Sequence, residues 1–284
     1  MNSNGSGLSR IVGRSAAIAR VRERVAALAR LSVPVLVRGE EGSGRSHVVS
    51  VLRELRGEPP DQAWTLRAGD RRLLAPLDAR RSVTLDDVTS LSALEQVRWR
   101  DALHESATPK HASIYATSSD DLFERARAGS FDPLLAETLA RFAIALPPLR
   151  ERRDDLPELA RALALRACAQ LRREPIELSR AALRLLQAQS WPGNVRELAA
   201  AIERLVAFAA GARIERAHVE ALFEESPRSV GATRHARTRR QRDELLRLID
   251  ETGGNLAEVA RRLEMSRGGV IYRAQKFGLM RRPD

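Results

Sequence analysis

The run "VPVLVRGEEGSGRSHVV", residues 33–49, is a short apolar segment, then a glycine-rich turn, then residues at helical spacing. Val33–Val37 reads as a buried strand. Gly39, Glu40, Glu41, Gly42, Ser43, Gly44, Arg45 and Ser46 fit G-x-x-x-x-G-[K]-[ST], with Arg45 where lysine is expected. The spacing has a physical reason. Glycines let successive N–H groups turn inward round an anion, and the helix that follows adds the partial positive charge of its N-terminus. The eight residues are therefore candidates to hold the phosphates of ATP or ADP, and the Ser46 hydroxyl lies where it can reach a Mg²⁺ ion. Arg45 leaves three outcomes open: turnover, holding without turnover, or neither.

The totals limit what surrounds this loop. The 284 residues leave room for two or three domains. Charged residues are 30% and hydrophobic ones 43%, as in a globular protein of ordinary composition. The net charge of +11 favours a polyanionic partner. Lys110 and Lys276 are the only lysines among 48 basic residues. A genome-wide arginine bias would produce the same pattern, which lowers the weight of Arg45 taken alone. No apolar run approaches the roughly 18 residues of a membrane span, so no membrane partner is expected. "MNSNGSGLSR" has no apolar core, so no signal peptide is expected. Cys168, the single cysteine, lies in an alanine-rich helical stretch and reads as a small buried hydrophobe rather than a reactive thiol. A reducing cytoplasm is the expected compartment, with association to the nucleoid through DNA.

Outward from the loop the pattern alternates between strands and helices. Residues 1–10 read as a flexible N-terminus. Ser15 is a candidate N-cap for a helix carrying Ile18, Val21, Val25 and Leu28 at helical spacing. Further strands are expected at Ala63–Arg67, Val83–Leu85, Ile114–Thr117 and Phe142–Leu146, with a helix at Leu91–Glu105. The third strand ends in Asp86-Asp87. An apolar strand closed by two acids downstream of a P-loop suggests one carboxylate for Mg²⁺, Asp86, and one to polarise an attacking water, Asp87. An acidic pair after a strand is a weak signal alone; its place downstream of a P-loop in an alternating pattern strengthens it. From Asp155 to Phe223 the pattern is entirely helical, which predicts an all-α subdomain. The domains read as 11–152 (α/β core), 153–224 (helical lid), 225–238 (linker) and 239–284.

In residues 239–284, Asn255 is expected to cap a helix from Leu256 to Leu263. A tight turn at Glu264–Ser266 and a helix to Phe277 complete a helix-turn-helix. From Ser226 onward there are 14 Arg or Lys against seven Asp or Glu, the electrostatic footprint of phosphate contact. Ala257, Val259, Ala260, Leu263, Val270, Ala274 and Phe277 form the expected packing set. That leaves Arg267, Tyr272, Arg273, Gln275 and Lys276 outward as candidates for groove and phosphate contacts with double-stranded DNA. A solvated basic hairpin is the bland alternative. The helix Gln241–Glu251 is expected to pair with its twin in a dimer.

"IVGRS", "GEEGSGRS", "VTLDDV", "SFDPLLAETLARFAIALPPLRERRDDLPELA", "WPGNVREL" and "NLAEVARRLEMSRGGVIYRAQKFGL" follow one another here. That order resembles bacterial enhancer-binding proteins, the NtrC-like sigma-54-dependent activators with an AAA+ ATPase domain and a Fis-type DNA-binding domain. The resemblance spans nearly the whole chain. It implies an α/β fold: an AAA+ P-loop parallel sheet, an all-α lid and a small Fis-type helix-turn-helix domain. Arg196 of "WPGNVREL" matches the sensor II arginine that reaches the nucleotide.

The departures from the family pattern bear on activity. Arg45 stands for the lysine, and its wide planar fork suits a point-charge site poorly. Asp87 stands for a glutamate. The sensor I strand is expected to end in Ser118 and Ser119. The two arginines that family members send to a neighbouring subunit's phosphate fall at Asp132 and Thr138. No GAFTGA-like loop occurs, and only 36 residues separate Ser46 from Val83. The expected function is thus a DNA-binding transcriptional regulator whose AAA+ domain holds ATP or ADP with Mg²⁺ but hydrolyses it weakly or not at all. Self-association, and mixing with an intact relative, are expected; contact with sigma-54 polymerase is not. The alternatives are an active ATP-hydrolysing activator and a DNA-binding oligomerisation protein with a vestigial P-loop.

Overall fold

The computed structural model describes residues 4–74, 81–104, 113–209 and 211–225. Near the C-terminus it describes 245, 247–249, 251–252, 255–263, 265, 270–271 and 274. The chain divides into two compact units, residues 1–231 and 232–284.

The first unit is built on a five-stranded parallel sheet. Its strands are β1 (Val35–Arg38), β2 (Ala63–Leu66), β3 (Ser82–Leu85), β4 (Ser113–Ser118) and β5 (Ala143–Ala145), in the order β2-β3-β4-β1-β5. Parallel strands need crossovers, and the helices that make them cover both faces. α1 (Asn4–Ser9), α2 (Ala16–Ala29) and α3 (Arg45–Leu55) precede and follow β1, while α4 (Ala93–His104), α5 (Leu122–Arg127) and α6 (Pro133–Ala140) follow the later strands. The two-residue period of β1 divides its side chains between the faces. Val35 and Val37 join Ile18, Val48, Val51, Leu52 and Tyr115 in one core cluster, whereas Leu36 joins Trp99, Ile114, Leu122 and Leu135 in the other. β1 is therefore buried on both sides, which is why its sequence is an apolar run rather than an alternation.

Strand register sets what emerges at the C-terminal edge of the sheet. Arg38 pairs with Ser118, and Leu85 with Ala116. The glycine-rich turn after β1, Asp86 after β3 and the end of β4 thus share one edge, where open parallel sheets bind ligands. The expected strands are found with shifted ends: β1 is Val35–Arg38 rather than Val33–Val37, β2 ends at Leu66, and β5 is shortened to Ala143–Ala145. Residues 71–74 form a 3-10 turn.

The helical subdomain comprises α7 (Leu156–Gln170), α8 (Arg180–Gln187), α9 (Asn194–Phe208) and α10 (Arg216–Glu225). The expectation of a purely helical subdomain is corrected here. Two two-residue parallel strands, β6 (Glu177–Leu178) and β7 (Arg213–Ile214), tie the loops before α8 and α10 together. Each is too short to show a period-2 pattern, and each is placed by burying Leu178 and Ile214. Cys168 is buried in the same core, as its setting predicts.

Asp155 joins the two halves of this unit. Fully buried, it accepts from the amides of Arg14 and Ser15 at 2.7 and 2.6 Å and from the Ser15 hydroxyl at 2.7 Å. Ser15 also caps α2, accepting from the Ile18 amide at 3.3 Å, and Ile18, Val21, Val25 and Leu28 are buried as their spacing predicts. Gly13, at φ +140°, has no room for a side chain: a Cβ would lie 2.7 Å from the Asp155 carboxyl carbon.

In the second unit, the helix Leu256–Arg262 starts at Asn255, whose side chain accepts from the Ala257 and Glu258 amides at 3.2 and 3.3 Å. Its core contains Leu245, Leu248, Val259, Ala260, Val270 and Ala274. One expectation changes: Ala257 is exposed, and Leu256 packs against the core instead. Leu245 and Leu248 are buried within this unit. Arg267, Tyr272, Arg273, Gln275, Lys276 and Phe277 lie outside the described residues.

Asp155→Ala is expected to destabilise the first unit by about 3 kcal/mol, because it removes a charged acceptor and strands buried donors. Urea unfolding of the variant against wild type measures this.

Candidate functional site

Gly42 and Gly44 hold left-handed backbone, at φ +77° and +110°. Each needs glycine for a different reason. A Cβ on Gly42 would lie 2.2 Å from the Gly193 carbonyl oxygen, so the helical subdomain touches the loop backbone there. A Cβ on Gly44 would meet nothing within 4 Å. Gly44 also begins α3 without a side-chain cap, leaving the first-turn amides open for an anion. In this loop the Ser43 hydroxyl and Arg45 Nη1 are buried donors that make no hydrogen bond within the protein, and one Glu41 carboxylate oxygen, Oε2, is buried likewise. An open cradle, uncapped amides and orphaned donors fit a polyphosphate.

The loop glutamates have another task. Arg150 grips Glu40 with two bonds of 2.8 and 2.7 Å, and Arg196 pairs with Glu41. Asn194 bridges the two halves. Its amide nitrogen donates to Glu40 at 3.1 Å and to the Glu41 carbonyl at 3.0 Å, while its oxygen accepts from the Leu149 amide at 2.8 Å. The Arg196 amide donates to the Gly42 carbonyl at 3.2 Å. Arg152, buried, donates to the Ser43 carbonyl at 2.9 Å; burial lowers its pKa and the nearby Asp155 charge opposes that. Trp191 and Asn194, at φ +46° and +55°, hold the turn in a conformation that non-glycine residues seldom adopt. The Glu197 carboxylate accepts from the Gly193 amide at 2.7 Å, and burial raises its pKa.

Asp86 and Asp87 lie at the same sheet edge. One Asp86 oxygen accepts from the Thr117 hydroxyl at 3.0 Å and the other from Arg67 Nε at 3.0 Å. Asp87 has φ +60°; its amide donates to the Thr117 hydroxyl at 2.9 Å and its carboxylate accepts from Thr89 at 2.8 Å. Ser118, expected at the sensor position, turns its hydroxyl onto the Asp120 carbonyl at 2.7 Å. Thr117, one residue earlier, meets the acidic pair instead. Asp132 caps α6 through the Leu135 amide at 2.9 Å and pairs with Arg100 at 3.1 Å, and the Thr138 hydroxyl bonds the Leu134 carbonyl at 2.9 Å. Ser46 is exposed at the start of α3.

Sequence reasoning did not find Arg67, Thr117, Arg150, Arg152 or Asn194. Thr117 had a signal, since it ends an apolar strand beside the acids. The arginines had none, because arginine is common throughout this chain. Mg²⁺ does not fit the acidic end of the site as arranged: a guanidinium occupies the carboxylate expected to support it.

Gly42→Ala is expected to cost about 2 kcal/mol by overpacking against Gly193. Gly44→Ala, in open space, is expected to cost about 1 kcal/mol through its backbone conformation alone. Thermal unfolding of the two variants checks the order.

Comparison with known proteins agrees with this architecture. Residues 12–149 match the Sigma-54 interaction domain family and residues 150–236 the AAA+ ATPase lid domain family. The chain is 29% identical to the Nif-specific regulatory protein of Klebsiella oxytoca, over 96% of this chain and 60% of that protein. It thus spans about three fifths of the length of that relative. It is 27% identical to the transcriptional regulatory protein ZraR of Escherichia coli, over 94% of this chain and 68% of ZraR. Among solved structures, NtrX from Brucella abortus in complex with ATP superimposes with a TM-score of 0.63 at 22% identity, covering 94% of this chain and 69% of that one. The RuvB branch-migration motor of Thermotoga maritima gives 0.57 at 14% identity, covering 96% and 90%. With two adjoining domains matched from residue 12 to residue 236, residues 12–149 belong to the Sigma-54 interaction domain family and residues 150–236 to the AAA+ ATPase lid domain family.

Proposed function

We propose that this protein is a DNA-binding transcriptional regulator whose AAA+ unit holds a nucleotide without turning it over. The observation that carries the reading is the use made of Asp132 and Thr138. Where family members are expected to send arginines to a neighbouring phosphate, Asp132 caps α6 and Thr138 bonds its own helix. Neither supplies positive charge to a transition state. Loss of such an arginine costs about 10³–10⁵ in rate. Asp87, turned toward Thr89, adds to the same side of the balance.

Nucleotide holding is supported by the open Gly44 cradle and the orphaned Ser43 and Arg45 donors. NtrX, which shares the fold, has been crystallised with ATP and with ADP. β2 and β3 are joined by residues 67–81, a connection without a GAFTGA-like string, which supports a regulator that does not engage sigma-54 through that loop.

DNA contact is assigned to Arg267, Tyr272, Arg273, Gln275 and Lys276. The charge excess beyond Ser226 and the capped helix at Asn255 support that assignment. Self-association, or assembly with an intact relative, belongs to the same reading.

Two outcomes test it. The purified chain is expected to release phosphate from ATP at no more than a trace rate, unchanged by Asp86→Ala; a rate that Asp86→Ala abolishes would falsify the non-hydrolytic reading. On duplex DNA, Arg273→Ala is expected to weaken specific binding by about 1–3 kcal/mol, whereas Lys276→Ala weakens all sequences alike and lowers the salt slope by about one. Fluorescence anisotropy across a salt series separates these effects.

A further inference from the structure

Asp86 is the carboxylate expected to support Mg²⁺, and both its oxygens already accept from protein donors: the Thr117 hydroxyl and Arg67 Nε, each at 3.0 Å. The strands place Arg67 there. Leu66 pairs with Leu85, and the Asp86 amide donates to the Leu66 carbonyl at 2.8 Å, so residues 67 and 86 leave the sheet side by side. Mg²⁺ requires a compact octahedral shell of oxygens. A guanidinium on the supporting carboxylate repels a divalent ion and cancels the charge that would attract it.

The neighbouring acids offer no substitute. Glu40 and Glu41 pair with Arg150 and Arg196, and the Asp87 carboxylate accepts from Thr89. Among the described residues, no group of three or more His, Cys, Asp or Glu side chains could hold a metal ion. Positive charge is nonetheless present at the cradle, where Arg45 Nη1 is buried without a hydrogen-bond partner.

We propose that this P-loop takes a nucleoside di- or triphosphate without a divalent cation. Arg45 supplies charge on the phosphate side, and Arg67 holds the Asp86 carboxylate out of metal coordination. The inference rests on the nucleotide-holding reading above. Arg67 is 77% exposed, so replacing it removes the pair without opening a core.

The test is titration of the full chain with a fluorescent ADP analogue, once in excess EDTA and once in excess Mg²⁺. Wild type is expected to bind with dissociation constants within about threefold of each other in the two conditions. Arg67→Ala is expected to bind at least about tenfold more tightly with Mg²⁺ than without it, and Arg67→Lys to behave like wild type. Circular dichroism confirms that each variant is folded. Wild-type binding that Mg²⁺ tightens about tenfold would overturn the metal-free mode and leave the nucleotide reading intact. No binding in either condition would overturn both.

Discussion

The contact between the glycine-rich loop and the Trp191–Asn194 turn is the constraint on which the first unit depends. Gly42 has no side chain because the Gly193 carbonyl oxygen occupies that space. Around this backbone contact, Glu40 and Glu41 meet Arg150 and Arg196, and Asn194 bonds both the loop and the Leu149 amide. The pairs with Arg150 and Arg196 are partly exposed, and such pairs add little stability singly. Their importance lies in geometry, since they fix the helical subdomain over the open cradle at Gly44. Asp155 makes the second junction, tying the start of α7 to the loop before α2.

Charge at the sheet edge is arranged in internal pairs. Each carboxylate there has a protein donor: Glu40 with Arg150, Glu41 with Arg196, Asp86 with Arg67 and Thr117, Asp87 with Thr89. A site that couples nucleotide cleavage to motion needs groups that exchange partners when the ligand changes. Here the acids are already partnered, while Arg45 Nη1 and the Ser43 hydroxyl make no hydrogen bond within the protein. That combination is what supports the proposed reading of a nucleotide held without turnover.

Much of the fold was legible because parallel strands buried on both faces leave apolar runs, and Val33–Val37 is one. Ser15 and Asn255 were legible as caps because their side chains act within three residues. The two-residue strands β6 and β7 were not legible, since a pairing between residues 177 and 213 leaves no local period. Ala257 fell on the wrong face for a related reason: helical spacing gives a set of positions, but the packing partner selects which stripe is buried.

The sequence by itself determined the glycine-rich turn and the strand-then-acid pattern at Asp86-Asp87. These are local patterns, read from residue type and spacing. Only the tertiary structure decided what the charged residues do. Glu40 and Glu41 became partners of arginines more than 100 positions away, Thr117 rather than Ser118 met Asp86, and Arg67 was carried to the same carboxylate by the register of β2 on β3. In a chain so rich in arginine, residue type cannot say which guanidinium meets which acid; that depends on where strand ends and turns converge in space.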